Sequence, residues 1–165
     1  MREAKALIKQ TGINLYKSVS HKNKSIWYVS GLYFECVQCS RCCSGPDEGF
    51  IWVSRAEIKF IADFLKISTR QVRQKYLKRV GLRTTIIEKP ATKDCIFLQK
   101  TDGQKRCVVY PVRPNQCRTW PFWPGNLVGP DAWNKATQKC GGINQGRFYS
   151  CDEIEKIKKQ KKWRL

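Results

Sequence analysis

The segment Phe34–Cys43 reads FECVQCSRCC and holds four of the chain's nine cysteines at the spacing C-x2-C-x2-C-C. A C-x2-C turn lets two sulfurs approach one ion at about 2.3 Å while the intervening amides point toward them. Cys36, Cys39 and Cys42 repeat that spacing, matching the three-cysteine run with which a short loop grips a 4Fe–4S cube whose fourth ligand comes from elsewhere. Side chains of adjacent residues usually point apart, so Cys42 and Cys43 are expected to serve different centres. Two centres, of zinc or of an Fe–S cluster, are the resulting expectation.

Disulfides and catalysis are weaker readings of these thiols. Nine is an odd number for a closed disulfide framework, and cystines rarely persist in a reducing compartment. A catalytic thiol needs a base, yet the single histidine, His21, lies far from the cluster in sequence and reads as a surface residue. Outside the cluster stand Cys95, Cys107, Cys117, Cys140 and Cys151, one more than an eight-ligand set requires. An isolated cysteine such as Cys151 reads first as a small buried hydrophobe.

With 165 residues the chain suits one domain burying roughly 70% of its unfolded surface. The hydrophobic fraction is 41% with cysteine included, so the carbon core is leaner than that figure and a staple is needed. No stretch approaches the roughly 18 apolar residues of a membrane span, and MREAKALIKQTGINLYK has no signal-peptide apolar run. The expected location is the cytoplasm or an organellar matrix, without secretion or membrane attachment.

Working outward from the cluster, Arg2–Gln10 reads as a weak helix, and SIWYVSGLYF at Ser25–Phe34 as a strand supporting the cysteine loop. Ile51–Val53 suggests a short strand. Ser54 and Glu57 form an S-x-x-E capping box ahead of Ile58, Ile61, Ala62 and Leu65 on one helical face. A second helix is predicted over Thr69–Val80, capped by Ser68, with Val72, Tyr76 and Val80 inward and Gly81 as its stop. Cys95–Gln99 and Arg106–Tyr110 read as strands joined through Asp102-Gly103, a hairpin that would bring Cys95 and Cys107 together. Prolines and glycines between Pro111 and Gly146 predict irregular backbone. Ser150 and Glu153 open a C-terminal helix. The expected fold is α+β: a small, irregular, metal-stapled single domain with short β-strands, a hairpin, two or three helices and long loops. Residues 1–33 form its basic leading segment and strand, 34–149 its cysteine-bearing part, and 150–165 a basic helix.

These blocks resemble the CxxCxxCC cysteine-cluster family of zinc- or iron-chelating domains. The resemblance rests on FECVQCSRCC, on CIFL at Cys95–Leu98, on CVVYPVRPNQCRTWPF at Cys107–Phe122, and on CGGINQGR at Cys140–Arg147. It implies Cys36, Cys39, Cys42, Cys43, Cys95, Cys107, Cys117 and Cys140 as metal ligands and leaves Cys151 outside. Ser40 stands where the family commonly has Gly, Gly141 where it has Pro, and Trp120 where it has Phe; none of these removes a ligand. Flagellin lysine methylases carry a similar cysteine block, but this chain lacks a Gly-rich nucleotide loop.

Arg41, Arg113 and Arg118 lie within a few residues of thiols and are expected to hydrogen-bond sulfur and offset its charge. Trp120, Phe122, Trp123 and Trp133 are expected to wall the metal from water. The net charge is +19, from 32 Lys and Arg against 13 Asp and Glu, and two tetrathiolate dications would lower it only to about +15. Positive charge concentrates in Met1–Lys24, in Arg70, Arg73, Lys75, Lys78, Arg79 and Arg83, and in Lys158, Lys159, Lys161, Lys162 and Arg164. The expected partner is RNA or a ribonucleoprotein bound through phosphates, because no base-reading motif accompanies the charge. The function expected is a non-catalytic metal-binding module; the alternative is an Fe–S redox or protein-modifying enzyme.

Overall fold

The structure is a computed structural model that describes residues 26–160. The proposed Arg2–Gln10 helix, His21, the Met1–Lys24 charge and Lys161, Lys162 and Arg164 lie outside the described residues. Six short strands pair antiparallel, two by two: β1 (Leu32–Phe34) with β6 (Ile143–Tyr149), β2 (Leu77–Val80) with β3 (Arg83–Ile86), and β4 (Leu98–Thr101) with β5 (Gln104–Cys107). Around them lie α1 (Arg55–Leu65), α2 (Thr69–Tyr76), α3 (Asn115–Arg118), α4 (Pro130–Lys139) and α5 (Cys151–Lys159). The architecture is mixed α+β, with more helix than the sequence led us to expect.

Local signals place several elements. Ser54 Oγ accepts from Glu57 N while Glu57 Oε2 accepts from Ser54 N, and the face of α1 carrying Ile58, Ile61 and Ala62 is buried. The same reciprocal box forms at Ser68/Gln71 for α2 and at Ser150/Glu153 for α5. Such boxes satisfy amide donors that a helix start otherwise leaves free. Asp102 and Gly103 both adopt positive φ in the two-residue turn between β4 and β5, the backbone that matches strand twist.

Three expectations fail, each for a local reason. The second helix stops at Tyr76, and Leu77 is already extended. Residues 77–80 instead pair with β3, whose β-branched Thr84, Thr85 and Ile86 favour a strand, and Gly81 at φ 58° makes the hairpin turn. Val80 is therefore exposed rather than inward. The Ser25–Phe34 strand shortens to Leu32–Phe34, because Gly31 N bonds back to Tyr28 O in a turn that buries Tyr28. Within the stretch expected to be irregular, α3, α4 and the first residues of β6 form. Pro130 at the first turn of α4, Asp131 beside it, and Trp133 with Ala136 buried three apart were the overlooked helix signals.

Two hydrophobic cores result. One is aromatic: Tyr28, Phe34, Phe122, Leu127, Trp133, Ala136, Cys140, Ile143 and Ile154. The other is mainly aliphatic: Val53, Ile58, Ile61, Ala62, Val72, Leu77, Ile86, Phe97 and Val109. The leading strand and α5 thus share one core with α4. No helix among the described residues is long and apolar enough to cross a membrane.

Candidate metal centre

Between the two cores lies a cavity of about 110 Å³ lined by Cys36, Cys39, Cys42, Cys43, Cys95, Cys107, Cys117 and Cys140. Phe34 and Cys140 reach it from the aromatic core, and Ile86, Phe97 and Val109 from the aliphatic one. Its volume is several times what a single water needs, about 10–15 Å³. Cys151, at the first turn of α5, is absent from the lining and packs instead against the aromatic core.

Each thiol is held by a different device. Cys36 and Cys39 follow β1 in a loop whose Gln38 and Ser40 both take left-handed backbone, at φ 51° and 61°. Glycine occupies that region without strain. Here Ser40 is buried and its hydroxyl donates to Lys105 O at 2.7 Å, tying the loop to β5. Cys42 and Cys43 sit on a single 3-10 turn, Arg41–Cys43. Their sulfurs lie 3.7 Å apart rather than pointing away. Successive side chains on a 3-10 turn diverge by about 120°, not the 180° of a strand, so neighbours can face one cavity. The separation is close to the roughly 3.8 Å edge of a tetrahedron of sulfurs around one ion at 2.3 Å.

Cys95 precedes β4, and its amide donates to Cys43 O at 2.8 Å. Cys107 ends β5, Cys117 lies in α3 and Cys140 caps the C-terminus of α4. The last approach depends on Gly142, since a Cβ there would stand 1.8 Å from Glu35 O while Glu35 N donates to Gly142 O. Beneath the loop, the buried Asp94 carboxylate accepts from Gly45 N at 3.2 Å and pairs with Lys105 at 2.8 Å.

The electrostatics favour a cation. The bond to Cys43, then burial, pushes the Cys42 thiol well up; burial pushes Cys95 up to about 11 and raises Cys107 and Cys117. Neighbouring thiols add to each of these shifts, and Arg113 opposes them at Cys107 and Cys117. Such thiols stay protonated at neutral pH until a positive charge arrives among them. Among the described residues no histidine, aspartate or glutamate lines the cavity, so the donor set they offer is soft and all sulfur, suited to zinc or iron. As placed, no three Cys, His, Asp or Glu side chains among the described residues stand close enough to share one ion. The thiols ring the cavity rather than meet at a point.

Comparison with known proteins places the chain. Residues 35–161 match the pattern of the CxxCxxCC family, described as "Putative zinc- or iron-chelating domain". The chain belongs to the CxxCxxCC family. Over 104 residues it is 33% identical to the "Uncharacterized protein MJ0661" of Methanocaldococcus jannaschii, a match covering 61% of this chain and 53% of that protein. The chain thus spans about half the length of that relative. No solved structure matches.

The other residues expected around the CxxCxxCC cavity are divided by the fold. Arg113, Arg118, Trp120 and Trp123 line it. The Arg113 guanidinium lies 3.8 Å over the Tyr110 ring, and its Nη1 donates to Tyr110 O. Arg41 is exposed and borders an adjoining cleft. Phe122 and Trp133 do not reach the cavity; they stack on each other at 5.8 Å inside the aromatic core. Phe122 directly follows cis Pro121, which carries the chain from the cavity wall into that core. Tyr110 was missed: it lines the cavity, as Cys36 does, and burial, then the Cys36 thiol, raises its phenol above the ordinary value. Its position after Cys107-Val-Val carried no local signal.

On the surface, Arg70, Arg73, Lys75, Lys78, Arg79 and Lys159 are exposed and Arg83 is half-buried. Lys158 is not a free charge: it pairs with Glu155 at 2.6 Å and donates to Tyr28 Oη at 3.0 Å, locking α5 to the aromatic core.

Proposed function

We propose that this chain is a non-catalytic module in which cysteine-bound zinc or iron fastens two half-cores together, leaving a basic face to dock on RNA or a ribonucleoprotein such as the ribosome. One observation carries the reading: eight of nine cysteines, drawn from five separate segments, line one cavity at the seam between the cores. When bound, the metal supplies cross-links between those segments and neutralises their thiolates. Eight thiolates suffice for two four-coordinate centres. Elemental analysis, labile-sulfide assay and visible spectroscopy on anaerobically purified protein test this. A metal-free protein with a cooperative native melt refutes it.

The RNA contact rests on charge: net +19 and exposed arginines in α2 and the β2–β3 hairpin. Phosphate contact releases counterions, so binding falls steeply with salt. A filter-binding titration that is flat across salt, or empty at low salt, removes this part of the reading.

A second reading, an Fe–S cluster used in electron transfer, is favoured by the spread of the thiols. A ring of sulfurs wider than one ion suits a group with its own breadth. Trp120 Nε1, on a cavity-lining side chain, is buried without an acceptor among the described residues, and hydrogen bonds to sulfur tune such clusters. Iron with stoichiometric labile sulfide supports this reading; colourless zinc protein excludes it.

A further inference from the structure

A second concavity, of about 1060 Å³, opens between the β2–β3 hairpin, the start of α1 and α3. Arg55, Arg73, Arg79, Arg83 and Arg118 line it, with no lysine among them. Arg55 and Arg118 come from segments that showed no concentration of charge in sequence; the fold adds them to the 70–83 cluster. The one acidic side chain in the lining, Glu57, is already committed, accepting from Ser54 N and Oγ and from Asn115 N, each at 2.7 Å.

Among the described residues these arginines have no carboxylate partner. Every salt bridge among the described residues uses other side chains: Lys59, Lys93, Lys105, Lys139, Arg147 or Lys158. Five unpaired like charges around one concavity repel one another, and only an anion between them reverses the sign. Arg83 adds an independent pointer. Its guanidinium lies over the Trp52 ring at 3.9 Å, Trp52 is stacked on Phe50 at 5.0 Å and 12°, and Arg83 Nη2 is buried without an acceptor among the described residues. The ring contact thus holds a guanidinium at the groove wall with one nitrogen unsatisfied, and a guanidinium is the side chain suited to bind a phosphate through two parallel hydrogen bonds.

We infer that this groove receives the sugar–phosphate backbone of an RNA strand, with Arg83 as the anchoring contact and Arg55, Arg73, Arg79 and Arg118 neutralising neighbouring phosphates. The inference rests on the RNA reading above and assigns it a place. The groove is larger than a single phosphate needs, and its walls bear exposed Phe60 and Leu82, the latter 93% exposed, as apolar surface for bases or sugars. A lipid surface is flat and meets the hairpin tip at Leu82, whereas charges on opposing walls enclose a strand.

The test is fluorescence-anisotropy titration of a labelled single-stranded RNA with the metal-loaded full chain, repeated over a salt series. Wild type is compared with R79Q/R83Q, with R73Q/R79Q, which leaves the Trp52 stack intact should loss of Arg83 perturb folding, and with a control, K100Q/K135Q, at exposed positions of β4 and α4 outside the groove. The expected result is at least a tenfold loss of affinity for each groove pair and a salt slope reduced by about 1.4, from two phosphates at about 0.7 each on a single strand, with less than a twofold change for the control. Equal weakening by groove and control pairs, or none by the groove pairs, overturns the groove assignment while the RNA reading stands. No binding by wild type at low salt overturns both. Stronger binding to phosphatidylserine vesicles than to RNA, abolished by L82S, assigns the hairpin to a membrane and also overturns the proposal.

Discussion

The aromatic core around Trp133 and the aliphatic core around Ile61 face each other across the cysteine cavity, yet chain segments of very different separation build them. The aliphatic core is drawn from Val53 to Val109, a nearly continuous run containing two boxed helices and two two-residue hairpins. The aromatic core joins Tyr28 and Phe34 to Phe122, Trp133, Ile143 and Ile154. Its β1–β6 pairing links Leu32 to Tyr149 across most of the described chain, with a register shift after Tyr33. Closing so long a loop is costly before any contact forms. The aliphatic half is organised by its own local structure, whereas the aromatic half depends on whatever fastens the chain ends together.

The thiols supply that fastening. Cys36 and Cys39 leave β1, Cys140 belongs to the aromatic core, and Cys95 and Cys107 pack against the aliphatic one. The largest expected effect is therefore metal removal. A structural zinc contributes about 10–16 kcal/mol, comparable to or above the roughly 5–15 kcal/mol stability of a whole domain. Chelation should abolish the cooperative melt, and amide exchange should accelerate at Phe34 and Ile143 before it does in α1. Uniform protection in metal-free protein breaks the comparison.

Cysteine replacement sharpens it. C140S should lower bound metal per chain and destabilise the aromatic half, while C151S, outside the cavity, should leave metal content at the wild-type value by elemental analysis.

Truncations in the two cores come next. W133A should cost about 3–5 kcal/mol and I61A about 2–5 kcal/mol by denaturant titration of loaded protein. Only W133A, which shares a core with Cys140 and loses the Trp133 Nε1 bond to Asn144 at 2.9 Å, should also speed metal loss to a chelator.

D94N should cost about 1–3 kcal/mol, because the buried carboxylate answers both Lys105 and the Gly45 amide. The Lys105 hydrogen bond holds Asp94 below the usual carboxylate range. Since the folded value lies below the unfolded one of about 3.9, its contribution is complete above that pH and is lost as pH falls through the folded value. Wild type should converge on D94N in acid and separate from it near neutrality. The smallest effect, about 1 kcal/mol, is expected for S54A, which removes one helix cap and should leave the metal content unchanged.

The sequence by itself determined the local elements and the chemistry of the donors. The Ser54, Ser68 and Ser150 boxes and the Asp102-Gly103 hairpin each depend on residues within a turn of one another, so nothing distant was needed to read them. Soft sulfur donors at C-x2-C spacing likewise pointed to metal without a fold. The tertiary structure alone decided that Cys42 and Cys43 face one cavity, that Tyr110 joins it while Phe122 turns away, that Lys158 is tied to Tyr28 and Glu155, and that Arg55 and Arg118 complete an arginine groove. It also decided where α2 gave way to β2, since the strand partner at Thr84–Ile86 outweighed a helical period. The division has one physical cause: hydrogen bonding within a turn is written in adjacent residues, whereas convergence across the chain is set by packing, and packing exists only once the two cores have met.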